Sequence, residues 1–334
     1  MNDIISLDEG LKTSAFETSC IFFSARWLKV LSESFGFKIM GLRMQDGVLP
    51  FADIDDVVGK RIVSLPYSDF VSSGISGACL AEGLNSLRLA YPDHSFSLKL
   101  AKDDFPGWPV EDGAMHHEVS LDEEDVMWRR CSTNFRRNVN KARKHAVEVR
   151  MRSDEQGIRD FYHQLRDHRR HKFGILTPPL RFFEKLHEHF FRDGAGYVAE
   201  ACLDGRVCSS VLVLFHGDVA CYKFGASDLG ALEFRPNNLL FWEVMLDTFK
   251  RGCKTLDLGM SWASEDDAGL RRFKEGMGGE PIGLSVIKSW PDEACREREE
   301  RNRQVFRELT SIFVGQDSDE VLDRACDTLF PLFT

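Results

Sequence analysis

The chain has 334 residues, a formal charge of −10, 43% hydrophobic and 29% charged residues, which fits a soluble globular protein of about two domains. Apolar runs such as residues 211–215 (VLVLF) fall far short of the ~20 residues that span a bilayer, so no integral membrane segment is expected. An acidic N-terminus without a basic flank argues against a signal peptide, and nine cysteines without a Cys-x-x-Cys pair argue against a disulfide framework or thiolate zinc site; a cytoplasmic location and no DNA partner are expected.

Residues 36–45 read as a strand, Asp46-Gly47 as a turn, and residues 48–51 as the returning strand. Ser120-x-x-Glu123 carries the capping-box signal of a helix start. Residues 129–145 hold seven Lys/Arg and no acid, and Phe135, Val139 and Ala142 mark the inner face of this basic helix. Ile158, Phe161, Tyr162 and Leu165 define another helix. It runs into a second basic cluster, residues 166–172, with four Lys/Arg against one Asp. Each run alone reads as a solvated face; two close together point to an anionic ligand.

Pro178-Pro179 precedes a helix bearing Leu180, Phe183, Leu186 and Phe190. Residues 197–203, 207–215 and 219–226 form a three-strand meander with turns at Asp204-Gly205 and Gly217-Asp218. The two Asp-Gly hairpins hint at duplicated units. Pro236 suits the first turn of a helix over 237–251 that stops at Gly252. A strand over 254–258 ending at Gly259, a helix around 268–275 and a strand over 282–290 follow. Two apolar-periodic segments in the tail read as packed helices. The order implies mixed sheets flanked by helices, with domains at 1–118 and 119–290 and C-terminal helices over 291–334 packing on the body.

Four ordered blocks, FRRNVNKARKHAVEVR, HRRHKFGILTPPLRFFEKL, YKFGASDLGALEFRPNNLLFWEVM and TLDLGMSWASEDDAGLRRFKEGMGG, resemble the FemAB-like proteins. These are peptidoglycan-bridge aminoacyltransferases and acyltransferase relatives within the GNAT superfamily. The resemblance runs over residues 120–287 and is fainter over 20–110, where Trp27, Phe35-Gly36, Leu65-Pro66-Tyr67 and Gly74 carry it. It implies an α+β, or mixed α/β, fold of two tandem GNAT-like (acyl-CoA N-acyltransferase) domains. It also implies acyl or aminoacyl transfer to the amine of a cell-envelope precursor or nucleotide-linked sugar bound near the domain junction. The donor would be aminoacyl-tRNA or an acyl thioester such as acyl-CoA, with charged tRNA as a partner in the first case and no tightly bound cofactor in either. The rivals are acyl-CoA-dependent modification of a polysaccharide or metabolite, and a non-catalytic degenerate GNAT pair acting as a binding module.

Amide formation requires the amine to lose a proton, the oxyanion to be stabilised and the leaving group to be protonated. No Gly-x-Ser-x-Gly elbow or Cys-His spacing stands out, so direct transfer in a ternary complex is expected. Lys274 matches the family's Phe-Lys followed by glycines, where the lysine stabilises developing charge or binds the donor. Arg169, Arg170 and His171 match its basic segment, which suits phosphate recognition as well as it suits a cation-rich helix end. Tyr222 and Lys223 lie on the third meander strand, where GNAT-like folds splay around the acyl group. Tyr222 could hydrogen-bond the carbonyl or act as an acid; packing is its plainer role. Asp257 is a candidate proton acceptor, with Asp228 and Glu233 as rivals. Asn237 and Asn238 open a helix and aim amides at a ligand or cap the helix. Residues 232–237 (LEFRPN) lack the glycines of the GNAT pyrophosphate loop, which weakens ordinary CoA binding. Residues 292–307 are too short for the long helical arm of some bridge-forming relatives. No catalytic metal is expected: His116-His117-Glu118 alternates across a strand, His187 and His189 diverge on a helix, and His168 with His171 lacks a third ligand.

Overall fold

The structure, a computed structural model, describes residues 3–16, 20–69 and 74–334. Residues 1–2 of the acidic N-terminal stretch lie outside the described residues. Contacts divide the chain into two compact units, Met1–Ala114 with Gly283–Thr334, and Met115–Ile282. No helix among the described residues is long and apolar enough to cross a membrane.

In the first unit, Asp3–Ser6, Lys38–Met44, Gly47–Asp55 and Lys60–Val63 form an antiparallel meander. The helix Gly77–Ala90 then crosses over, and Ser95–Ala101 pairs with Lys60–Val63 in parallel. The helix Ala25–Phe35 is capped by the Ser24 hydroxyl and stopped by Gly36 at φ 71°. It buries Trp27, Leu28, Val30 and Leu31.

The C-terminal helices Glu293–Val314 and Asp319–Leu329 belong to this unit rather than forming a separate tail. Side chains far apart in sequence explain why. Tyr67 donates its hydroxyl to the Phe330 carbonyl at 2.9 Å. The fully buried Arg61 is held by both carboxylate oxygens of Asp56 and also donates to Thr334 Oγ1 at 3.0 Å. Glu299, 7% exposed, accepts from Ser95 Oγ (2.8 Å), Trp290 Nε1 (3.1 Å) and Arg303 (2.9 Å). Removing a buried charge strands the donors arranged around it. Glu299→Ala is therefore expected to destabilise this unit by about 3 kcal/mol, read as a lowered urea midpoint, with Glu299→Gln recovering part of the loss.

The second unit repeats the topology. Gly196–Leu203, Arg206–His216 and Val219–Ser227 form an antiparallel meander, the helix Pro236–Lys250 crosses over, and Thr255–Trp262 pairs in parallel with Val219–Ser227. The strand Glu148–Arg152 extends the meander edge, and Ala114–Ser120 lies beside Thr255–Trp262. The two Asp-Gly turns thus occupy equivalent places in the two units. One sheet face is covered by Thr133–Lys144 and Pro236–Lys250, packed through Phe135, Val139, Leu240, Trp242 and Met245. Glu155–Phe173 and Leu180–His189 supply a second aromatic layer, in which Phe183 packs against Phe161 and Phe224. The fold class is the expected one, mixed sheets flanked by helices.

Two local expectations are corrected. Ser120 ends a strand and caps nothing; the next helix, Glu124–Arg130, starts behind Glu123 without a side-chain cap. Pairing in the sheet takes precedence there over the capping pattern. The strand expected to stop at Gly259 runs to Trp262, because Gly259 adopts φ 72° within it. The glycine serves as a kink instead of a terminator.

Candidate active site

The parallel ladder between Val219–Ser227 and Thr255–Trp262 has three rungs, the last being Cys221 with Asp257. Both strands continue beyond it, so they part. On the meander side the register shifts between Leu212 and Val213, which leaves Lys223 as a bulge residue. An extra residue reverses the alternation of side chains. Tyr222 therefore meets Phe241 edge-on at 5.0 Å, while Phe224 packs against Phe182 and Phe183 at 6.0 and 5.8 Å.

A cavity of about 370 Å³ occupies the gap. Leu165, His168, Arg169 and Lys172 from the helix Glu155–Phe173 wall one side; Phe241, Phe273, Lys274 and Met277 wall the other.

Lys274 lies on the helix Ala268–Gly276, is 3% exposed, and donates Nζ to the carbonyls of Gly259 (2.8 Å) and Met260 (3.0 Å). Its ammonium is thus held against the strand that the kink has turned away. The motif glycines have a steric reason. Gly278 sits at φ 87°, and a Cβ on Gly279 would lie 2.7 Å from the Lys274 carbonyl oxygen. The same helix is tied to the strand end: Arg271 donates to the Trp262 carbonyl, and Asp267 accepts the Trp262 N–H at 2.7 Å.

Tyr222, Lys223, Asn237, Arg169 and Lys274 all line the cavity. Arg170 and His171 do not, because consecutive helical residues are about 100° apart. Helical spacing from Leu165 selects His168, Arg169 and Lys172, a signal present in the sequence but passed over in favour of the contiguous Arg-Arg-His. Asn237 does not cap its helix; its Oδ1 accepts the hydroxyls of Ser227 (3.0 Å) and Ser209. Asn238 is buried, its N–H bonded to the Arg235 carbonyl at 3.1 Å.

Asp257 is 5% exposed and accepts the Gly259 N–H at 2.7 Å. It is not part of the cavity lining. It belongs to a cluster that sequence reasoning missed, in which His116 Nδ1 lies 4.0 Å from Asp257 Oδ1 and 3.7 Å from Glu118 Oε1. Burial, and after it the nearby Asp257 carboxylate, push the Glu118 carboxyl up, against the lowering effect of His116. Asp228 instead caps a short 3-10 helix through the Gly230 N–H, and Glu233 is exposed.

On the other face of the same strand, His117 is fully buried, its Nδ1 3.3 Å from Ser261 Oγ and its Nε2 3.8 Å from Glu275 Oε1. Burial and then the Lys274 charge hold this imidazole below its ordinary range. His168, with Nδ1 2.8 Å from the Ser227 carbonyl, is likewise lowered, chiefly by burial. An imidazole whose folded pKa lies below 6.5 stabilises the fold above that pH. Below it the unfolded chain takes up the proton first, so the contribution fades. The urea midpoint is therefore expected to fall between about pH 7.5 and about pH 5.5, and His117→Gln or His168→Gln should flatten that fall.

Residues 129–275 match a family described as an acetyltransferase (GNAT) domain. Over this stretch the chain carries a GNAT-type acyltransferase domain. The GNAT domain lies wholly within the second unit and contains the cavity's lining residues except Met277. A crystal structure of FemX is similar at 16% identity and a TM-score of 0.60, over 85% of this chain and 96% of that one. The C-terminal domain of a putative lysylphosphatidylglycerol synthetase from Agrobacterium fabrum is similar at 12% identity and a TM-score of 0.58, over 90% and 95%. L-PGS from Bacillus licheniformis is similar at 12% and 0.53, over 86% and 92%. At these identities the likeness is one of fold. No curated protein matches the chain.

Proposed function

We propose that the GNAT cavity transfers an acyl or aminoacyl group, from an acyl thioester or aminoacyl-tRNA, to an amine of a cell-envelope precursor or nucleotide-linked sugar. The observation that carries this reading is the parting of the two parallel strands beside the buried Lys274. The gap admits an extended acyl arm, and a fixed ammonium at its wall can stabilise negative charge as it develops. The amine attacks the donor carbonyl, and the Lys274 ammonium stabilises the oxyanion. Because Asp257 lies outside the cavity lining, the proton of the attacking nitrogen is released to solvent; the Tyr222 hydroxyl protonates the departing thiolate or ribose oxygen and is reprotonated from solvent. No covalent enzyme intermediate is needed. The fold likeness to FemX and to lysylphosphatidylglycerol synthetases, across most of both chains, supports an envelope-related aminoacyl transfer; the glycine-free LEFRPN stretch favours it over ordinary acetyl-CoA use.

Thermal-shift and mass-spectrometric binding against acetyl-CoA, longer acyl-CoAs and charged tRNA separates the donors. Specific retention of charged tRNA supports aminoacyl transfer. Stabilisation by an acyl-CoA points to polysaccharide or metabolite acylation. Binding of neither overturns the enzymatic reading of this cavity in favour of a binding module.

A further inference from the structure

The cavity lining carries charge of one sign. Arg169, Lys172, Lys223 and Lys274 are in it, and no Asp or Glu is, in a chain with 53 acidic against 43 basic residues. Two of the four cations, with His168, share one stripe of the helix Glu155–Phe173. Arg169 donates Nε to the Leu176 carbonyl at 2.9 Å, which fixes its guanidinium plane at the cavity edge. Lys172 is exposed, with its ammonium 4.8 Å from the centre of the Phe173 ring. His168 is oriented by its contact with Ser227.

The helix Pro236–Lys250 offers the alternative place for an anion, its N-terminus, but is poorly equipped. Pro236 has no N–H, the Asn238 N–H is engaged by the Arg235 carbonyl at 3.1 Å, and Arg235 enters the helix at φ 61°. A phosphate cradle of backbone amides needs consecutive N–H groups facing the ligand.

We propose that the donor's phosphate is held by side chains, Arg169 and Lys172 beside His168, and not by backbone amides at the start of Pro236–Lys250. The proposal rests on the reading of this cavity as the donor site. The ligand chemistry is a phosphate joined through a linker to an acyl carbon, the linker being long in a phosphopantetheine thioester and a single ribose in charged RNA. Phosphopantetheine thioesters and the 3′ end of charged RNA both present it. A guanidinium fork and a mobile ammonium suit such an oxyanion through charge-assisted hydrogen bonds.

Calorimetric titration of the full chain with 4′-phosphopantetheine and with pantetheine isolates the phosphate. The phosphorylated probe is expected to bind on the order of tenfold more tightly. Arg169→Ala/Lys172→Ala should erase that gain, Lys172→Glu alone should reduce it, and Arg235→Ala should leave it intact. Lys172 is exposed, so its substitution leaves folding unaffected and keeps the test decisive. Competition by a CCA-ended RNA duplex, lost in the double variant, identifies RNA as the source of the phosphate; its absence identifies a thioester carrier. Equal binding of the two probes, a gain that survives the double variant, or a gain lost in Arg235→Ala overturns the proposal. Binding is read without turnover, so failure of amide transfer with the phosphate gain intact would count against the function alone.

Discussion

Replacing Lys274 by Met is expected to lower the rate of amide formation by about 10²–10³-fold, the usual effect of removing one donor to a developing oxyanion. The same change leaves the Gly259 and Met260 carbonyls without their donor, at a stability cost of about 2 kcal/mol. Single-turnover kinetics and the urea midpoint measure the two effects separately. A variant that loses stability while keeping its rate would reduce Lys274 to a strut for the kinked strand. Gly279→Ala provides the complementary case. It keeps the ammonium but drives a Cβ against the Lys274 carbonyl, so it should slow transfer by misplacing that charge.

Phe241→Ala is expected to cost about 3–5 kcal/mol. Phe241 is 5% exposed and joins two aromatic neighbours, Tyr222 at 5.0 Å and Phe273 at 5.4 Å. It is at once core and cavity wall. Its loss should lower the denaturation midpoint and also release Tyr222, so that the rate falls even where the protein remains folded. Phe241→Leu should recover most of the stability and less of the rate, because it restores volume without the flat edge on which Tyr222 rests. Equal recovery of both would show that Tyr222 is only packing.

Local patterns were legible where local physics decides. The Asp-Gly turns and the alternating apolar residues placed the meander, and Phe135, Val139 and Ala142 proved to be the buried stripe of the basic helix. Lys274 was singled out by the resemblance of its Phe-Lys and following glycines to the family motif; it lines the cavity, and the close approach of Gly279 gives those glycines a steric reason. Three features were not legible. Gly259 is compatible with either a stop or a kink, and only pairing across the sheet selects the kink. His116, Glu118 and Asp257 come from strands far apart in the chain, and only the order of the strands brings them together. The allegiance of the tail depends on single long-range bonds, such as Arg61 to Thr334 and Tyr67 to Phe330, that no periodicity reveals. The choice among residues 168–172 was of another kind. Their helical spacing from Leu165 already distinguished the cavity-facing side chains from Arg170 and His171.

Product mass spectrometry after a single turnover tests the central claim most directly. Full-length protein is mixed with an acyl thioester or aminoacyl-tRNA and an amine-bearing envelope precursor or nucleotide-linked amino sugar. The account predicts one new amide on the acceptor, stoichiometric loss of the acyl group from the donor, no acylated protein, and near-abolition in folded Lys274→Met. A protein-bound acyl intermediate, or undiminished product from Lys274→Met, would contradict it.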